Sequence, residues 1–402
     1  MNIYNCHTHL FNLDCTPNRF LGGMMGGWLG RVGARLLQGV LALPTVTGVF
    51  LRLAKRFPFA RKYAAFLKIG SSLSPLAIFE QHLLPAYPAG TRFVVLPINF
   101  DWMGAGTATL NQESQLWQLL EVRKRYPDTC LPFVSLDPRQ GSAEENVAFV
   151  AKWVSRGFVG LKLYPSLGFY PFDARLDKVY AYAQEHGLPI MTHCSRGGIY
   201  YQGALTEALR APVLPVGPTT PRPDPPTLYG QQFPLQSPGR ETNDAFCDFF
   251  LDPRAYHLVL DRYPRLKLCL AHYGGSAEIQ AFLNPTAPLD PLDNWYAGVR
   301  WLMARYENVY TDVSYTLADQ ALFPTLVRDL LTPAAGQPVS PYRERMLFGT
   351  DFFMTTQEKP EAALATELMT DLLDRAKDPA AWQQLAHTNP VRFLKSDFYT
   401  PG

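Results

Sequence analysis

Met1-Asn-Ile-Tyr-Asn-Cys-His7-Thr-His9-Leu-Phe11 reads as a strand. Residues two apart in a strand project from one face, so His7 and His9 present two imidazoles side by side. Such a pair suits a transition metal. Taken alone, two strand histidines are more often packed or solvated than ligating, and the rest of the chain has to decide.

Further along, short apolar runs alternate with helical stretches. The strand-like runs are Arg92 to Phe100, Leu131 to Asp137, Phe158 to Tyr164, Pro189 to Cys194, Leu266 to His272, Val309 to Ser314 and Met346 to Asp351. Helical patterns fall at Gln112 to Tyr126, Ala143 to Arg156, Ala174 to His186, Asn243 to Phe250 and Pro253 to Tyr263. This alternation signals a parallel sheet with helical crossovers. Counting from Asn2 there are eight strands, which over 402 residues argues for an α/β fold of the (β/α)8 barrel type, read as a single domain over 1–402.

Composition limits the function classes. With 47% hydrophobic residues the chain buries one large core. Lys plus Arg number 37 against 35 Asp plus Glu, so no charge imbalance points to nucleic acid. The six cysteines contain no Cys-x-x-Cys pair and do not form a disulfide framework, which makes a reducing, cytoplasmic setting the default. No leader is expected ahead of the first strand, because cleavage would remove the histidine motif. A small molecule is the expected partner, and a homo-oligomer is compatible with the sequence without being specified by it.

Two stretches interrupt the pattern. Residues 15–79 hold nine Lys or Arg and no Asp or Glu, but Arg31, Arg35, Pro44 and Arg52 cut the apolar runs below the 20 or so residues a membrane span needs. The segment is read as an insertion packing on the barrel or on a partner subunit, with a basic cap over an anionic substrate or lipid as the alternative. The second insertion spans 198–240, where nine prolines between Pro212 and Pro238 forbid a helix or central strand. Such an excursion serves an active site or an interface.

Barrel enzymes place their chemistry at the carboxyl ends of the strands. Four of eight histidines stand there: His7 and His9 on the first strand, His193 on the fifth, His272 on the sixth, with Asp351 closing the eighth. The bland reading of Asp351 is a helix cap or a buried ion-pair partner. Alternation sends Cys194 outward beside an inward His193, and by the same parity sends Cys6 and Cys269 outward, as small buried hydrophobes. In Phe158 to Tyr164 the parity turns Lys162 into the barrel, where a bare ammonium is costly.

His7-Thr-His9, Gly160-Leu-Lys-Leu-Tyr-Pro165, Met191-Thr-His193, Leu270-Ala-His-Tyr-Gly-Gly275, Phe348-Gly-Thr-Asp351 and Asn389-Pro-Val-Arg-Phe-Leu394 resemble the amidohydrolase superfamily, in the branch of aminocarboxymuconate-semialdehyde decarboxylase and related metal-dependent hydrolases. The resemblance implies one divalent metal, usually zinc with manganese or iron as alternatives, held by His7, His9, His193 and Asp351. It also implies His272 and Asp351 as catalytic groups, His272 helping to activate water or holding substrate. Zinc lowers the pKa of a bound water from 15.7 toward about 7, and Asp351 is placed to take the proton. Lys162 is read either as a carboxylated bridge between two metals or as a partner of Asp351 or a substrate anion; one metal is favoured. Tyr164, Arg196, Tyr273 and Tyr315 are candidate substrate contacts, Arg196 as a bidentate carboxylate ligand, and Trp102 as a stacking surface.

Three functions follow from this reading. The first is a metal-dependent hydrolase acting on an ester, lactone or amide. The intact His-x-His pair favours it over decarboxylases of the branch that carry an acid in place of the first histidine. Other decarboxylases keep the pair, so non-oxidative decarboxylation of an unsaturated or aromatic acid is the second. The third is a non-catalytic membrane-associated or interaction protein using residues 15–79. Asn5, where relatives often have an acid, departs from the pattern and bears on how His7 is oriented.

Overall fold

The computed structural model describes residues 2–20, 74–215, 242–285, 293–333, 340–374 and 377–402. Eight parallel strands run in chain order around one sheet. They are β1 (Tyr4–Thr8), β2 (Arg92–Val95), β3 (Cys130–Leu136), β4 (Gly160–Leu163), β5 (Ile190–Thr192), β6 (Leu268–Leu270), β7 (Val309–Asp312) and β8 (Met346–Leu347). The ring closes through backbone bonds from Cys6 N–H to the Phe348 carbonyl (2.8 Å) and from Asp351 N–H to the His7 carbonyl (2.9 Å). The expected (β/α)8 barrel is therefore the observed one. Several strands stop short of their apolar runs. β2 ends before Pro97, which has no N–H for the ladder, and β8 ends before Gly349 and the left-handed Asp351 (φ 65°).

The crossovers are helical: α1 (Gln112–Arg125), α2 (Ala143–Val154), α3 (Asp177–Glu185), α4 (Asn243–Leu251), α5 (Ala255–Leu260), α6 (Ser276–Leu283), α7 (Trp295–Arg305), α8 (Phe323–Leu331) and α9 (Glu361–Asp374). Their ends follow local chemistry. Asn111 caps α1 by accepting from Ser114 N–H, and Arg123, Lys124 and Arg125 sit at its negative end. Ser142 and Glu145 close a capping box on α2. Residues 21–73 of the basic insertion and 216–241 of the proline-rich one lie outside the described residues. Among the described residues no helix is long and apolar enough to cross a membrane.

The strands bury both faces, as a covered parallel barrel must. Outward residues such as Leu161, Leu163, Leu268 and Leu270 pack with the helices. Inward residues form a second cluster of Tyr4, Leu131, Phe133, Met191, Tyr310 and Leu347, with Phe393 and Leu394 of the last helix against it. Gly160 is required here, because a Cβ on it would stand 2.4 Å from the Phe133 ring.

Cys194 packs outward as expected, its Sγ 3.9 Å from the Leu251 carbonyl. Cys6 and Cys269 do not: both belong to the inner cluster. The cause in β1 is a bulge. Asn5 pairs with Phe93 and Thr8 with Val95, so β1 advances three residues while β2 advances two. The extra residue breaks the alternation, and Cys6 and His7 are both admitted to the interior. In β6 the alternation holds through Cys269, and the left-handed backbone of His272 (φ 67°) then turns the imidazole inward as well. All six cysteines are buried free thiols.

Candidate metal centre

Gly349 lets β8 approach β1 closely, since a Cβ there would meet His7 Cβ at 2.7 Å. That approach sets Asp351 against the two histidines. Its Oδ1 lies 3.0 Å from His9 Nε2 and 3.5 Å from His7 Nε2, all three side chains buried. The far nitrogens are committed elsewhere. His9 Nδ1–H donates to the Leu96 carbonyl at 2.6 Å, and His7 Nδ1–H donates to Asp312 Oδ2 at 2.8 Å. In their neutral forms both imidazoles have spent their only proton, so each turns a lone pair on Asp351 Oδ1, which has no hydrogen-bond partner.

Three acceptors facing one another in a buried site call for a cation between them. Tetrahedral ligands about 2.0–2.2 Å from a zinc-sized ion stand roughly 3.3 Å apart, and the two measured contacts bracket that spacing. The residues therefore fit a divalent metal. Burial also pushes the His7 imidazole down to about 3, against the attraction of Asp312, which keeps it neutral and ready to ligate.

Asp312 is the support of this cluster. Burial alone raises its carboxyl, but His7, and His272 with its backbone N–H, outweigh that and hold it well below the ordinary range. It accepts from His272 N–H and Ser314 N–H, each at 3.0 Å, and from the Ser314 hydroxyl. Carboxylate-held histidines of this kind fix tautomer and ring orientation. His7, His272 and Asp312 also lie close enough to share an ion, yet their contacts are already bridged by protons. Asp312 and Ser314 were not singled out from the sequence, although Asp312 ends an apolar strand just as Asp351 follows one.

His193 stands beside His272 rather than in the three-atom cluster. Its Nδ1 is 3.0 Å from His272 Nε2 and its Nε2 is 3.2 Å from Ser195 Oγ. Its ring stacks on Tyr164 with centroids 4.5 Å apart. Burial, with the neighbouring His272, lowers its pKa well below the ordinary value. His272 is also lowered by burial. A cavity of about 510 Å³ opens over this group, lined by His9, Tyr164, His193, His272, Tyr315 and Asp351 among others.

Lys162 points into the barrel, as its parity requires, and its buried Nζ has no hydrogen-bond partner. Desolvation pushes it down to about 8, against the pull of Asp312 and Asp351. Two expected substrate contacts are differently employed. Arg196 does line the cavity, but its guanidinium is held by Glu278 (2.8 Å) and Asp248 (3.1 Å) and lies over the Trp295 ring, so its fork is taken by the protein's own carboxylates. Tyr273 turns away from the cavity: it is fully buried against Tyr296, and its hydroxyl donates to Asp329 at 3.0 Å. Trp102 is outside the cavity lining, with the Arg139 guanidinium 5.9 Å from its ring.

Asn5 does bear on His7. Its Oδ1 accepts from His7 N–H (3.3 Å) and Thr350 N–H (3.2 Å), and its amide donates to Thr350 Oγ1 (2.8 Å) and the Tyr87 hydroxyl (2.9 Å). An amide supplies these donors and acceptors together, which a carboxylate cannot.

A closed parallel barrel with a histidine–aspartate cluster at the carboxyl ends of its strands defines a metal-dependent barrel enzyme. The chain belongs to the amidohydrolase family, whose model, described as Amidohydrolase, matches residues 93–395. Among solved structures it is similar to a 5-carboxyvanillate decarboxylase from Novosphingobium aromaticivorans, at 14% identity over 98% of this chain and 96% of that one, with a TM-score of 0.52. It is also similar to an uncharacterized TIM-barrel protein from Bordetella bronchiseptica (15% identity, 98% of both chains, TM-score 0.49). A third similar structure is a 5-carboxyvanillate decarboxylase from Sphingomonas paucimobilis (11% identity, 98% of both chains, TM-score 0.49). No curated protein matches the sequence.

Proposed function

We propose that His7, His9 and Asp351 hold one divalent metal, zinc in the first instance, and that the protein uses it to transform a small carboxylate-bearing molecule. The observation that carries this reading is the convergence of two imidazole lone pairs and an unpartnered carboxylate oxygen on one buried point. When bound, such an ion supplies Lewis-acid chemistry, polarising a substrate oxygen and acidifying water.

The chain's own residues supply the rest. Asp312 keeps His7 in one tautomer. Asp351 is the base that takes a proton from attacking water and returns it to the leaving group. His272, hydrogen-bonded to His193, faces the same cavity and holds a developing oxyanion. Tyr164 and His193, stacked, form a flat wall suited to a planar group. His193, the expected fourth ligand, would have to release Ser195 or His272 to join the other three.

Hydrolysis of an ester, lactone or amide is the first reading. The second is loss of carbon dioxide from an unsaturated or aromatic acid. It is supported by the Novosphingobium decarboxylase, of the same fold, which was solved with manganese and 4-hydroxy-3-methoxy-5-nitrobenzoic acid. Plasma mass spectrometry of the purified protein beside His9→Ala tests the metal. About one equivalent is expected in the wild type and none in the variant; equal metal in both overturns the site. Turnover of esters, lactones and aromatic acids, followed by acid release and by carbon dioxide release, then separates the two reactions.

A further inference from the structure

Glu361, the first residue of α9, is a buried carboxylate outside the metal cluster. Two hydroxyls donate to its Oε1, Tyr87 at 2.6 Å and Thr350 at 2.6 Å, and the Asn5 amide nitrogen lies 3.3 Å away. Two of the three adjoin the ligand-bearing backbone. Asn5 is two residues before His7, and Thr350 immediately precedes Asp351.

The group also gives the network a direction. Burial raises the Glu361 carboxyl to about 7; above that pH it is a carboxylate, which only accepts, so Tyr87 and Thr350 must donate to it. Their lone pairs then face the Asn5 amide nitrogen. That leaves Asn5 Oδ1 turned to the N–H groups of His7 and Thr350, as observed. One acceptor thus fixes the rotation of Asn5, and with it the seat of β1 against β8 where the ring closes.

We propose that Glu361 is a positioning residue for the metal: through Asn5 and Thr350 it holds the ends of β1 and β8 so that the donors of His7, His9 and Asp351 meet at one point. This rests on the metal reading above. Glu361 touches neither the donors nor the cavity, so its effect is on how well the ligands are preorganised.

The test is metal affinity, read by competition of zinc with a chromogenic chelator, on folded protein at matched concentration. Outer partners of metal ligands are typically worth 10–100-fold in affinity, so Glu361→Leu is expected to bind zinc roughly 10–100-fold more weakly. Glu361→Gln keeps the shape and one acceptor but can present its amide N–H groups instead, and is expected to lose less, near the roughly 10-fold lower end of the same scale. If Glu361→Leu does not fold, Glu361→Gln carries the test. The control is Tyr306→Phe, which deletes a buried hydroxyl bonded to His257 and Asp261 far from the ring closure. It is expected to lower the melting midpoint and leave zinc affinity unchanged. Wild-type affinity in the Glu361 variants overturns the positioning role while leaving the metal site intact. Weakened affinity in Tyr306→Phe to the same degree overturns it too, as a general loss of stability. Absence of zinc binding in the wild type overturns the metal reading itself.

Discussion

Replacing Lys162 with methionine, a chain of similar length and no charge, is expected to stabilise the metal-free protein. The ammonium is 1% exposed, and burial lowers its pKa from the ordinary 10.5 to about 8 even with Asp312 and Asp351 pulling the other way. At 1.36 kcal/mol per pH unit, that difference corresponds to a penalty on the order of 3 kcal/mol at neutral pH. Because the folded pKa is the lower one, the unfolded chain binds more protons between about 8 and 10.5. Stability therefore rises with pH across that window, and the penalty is fully present below it. Calorimetry of chelator-treated protein should show Lys162→Met melting several degrees higher than wild type at pH 7, with the gap closing toward pH 10.5. An unchanged midpoint and an identical pH slope in the two proteins would show that Lys162 carries no penalty, and the account of it as an uncompensated buried cation would be wrong. Two equivalents of metal in the wild type would assign it to a carboxylated bridge instead.

Two further substitutions check the geometry. Asp312→Asn leaves the shape but can no longer hold His7 by charge, and a 10–100-fold loss of zinc affinity is expected on the scale of outer-ligand effects, measured by chelator competition; unaltered affinity would remove Asp312 from the site. Cys194→Ala, on the outward face, should keep metal content and turnover while costing about 1 kcal/mol of stability for the lost buried sulfur, and loss of metal there would contradict the observed strand parity.

The barrel and the residues gathered at its mouth were legible because the sequence marks strand ends plainly, with an apolar run closing on one polar side chain at His7, His193, His272 and Asp351, although His193 meets His272 and not the three-atom cluster. What escaped depends on neighbours far along the chain. The inward turn of Cys6 comes from a bulge that exists only in pairing with β2. Arg196 finds Asp248 and Glu278, 52 and 82 positions away, and Tyr273 finds Asp329 at a distance of 56. No local pattern announces such partners. Asp312, by contrast, closes an apolar strand and is within reach of the same strand-end rule.

Closure of the ring between its first and last strands also sets a clock. Asn5 and Thr350, which meet beside the ligands, are 345 positions apart. At a synthesis rate of about 5–20 residues per second, His7 and His9 wait roughly 20–70 s on the ribosome before Asp351 is even made. Completion of the proposed site is therefore a late event in the life of each molecule, and a nascent chain truncated before the eighth strand carries His7 and His9 without the Asp351 carboxylate that faces them.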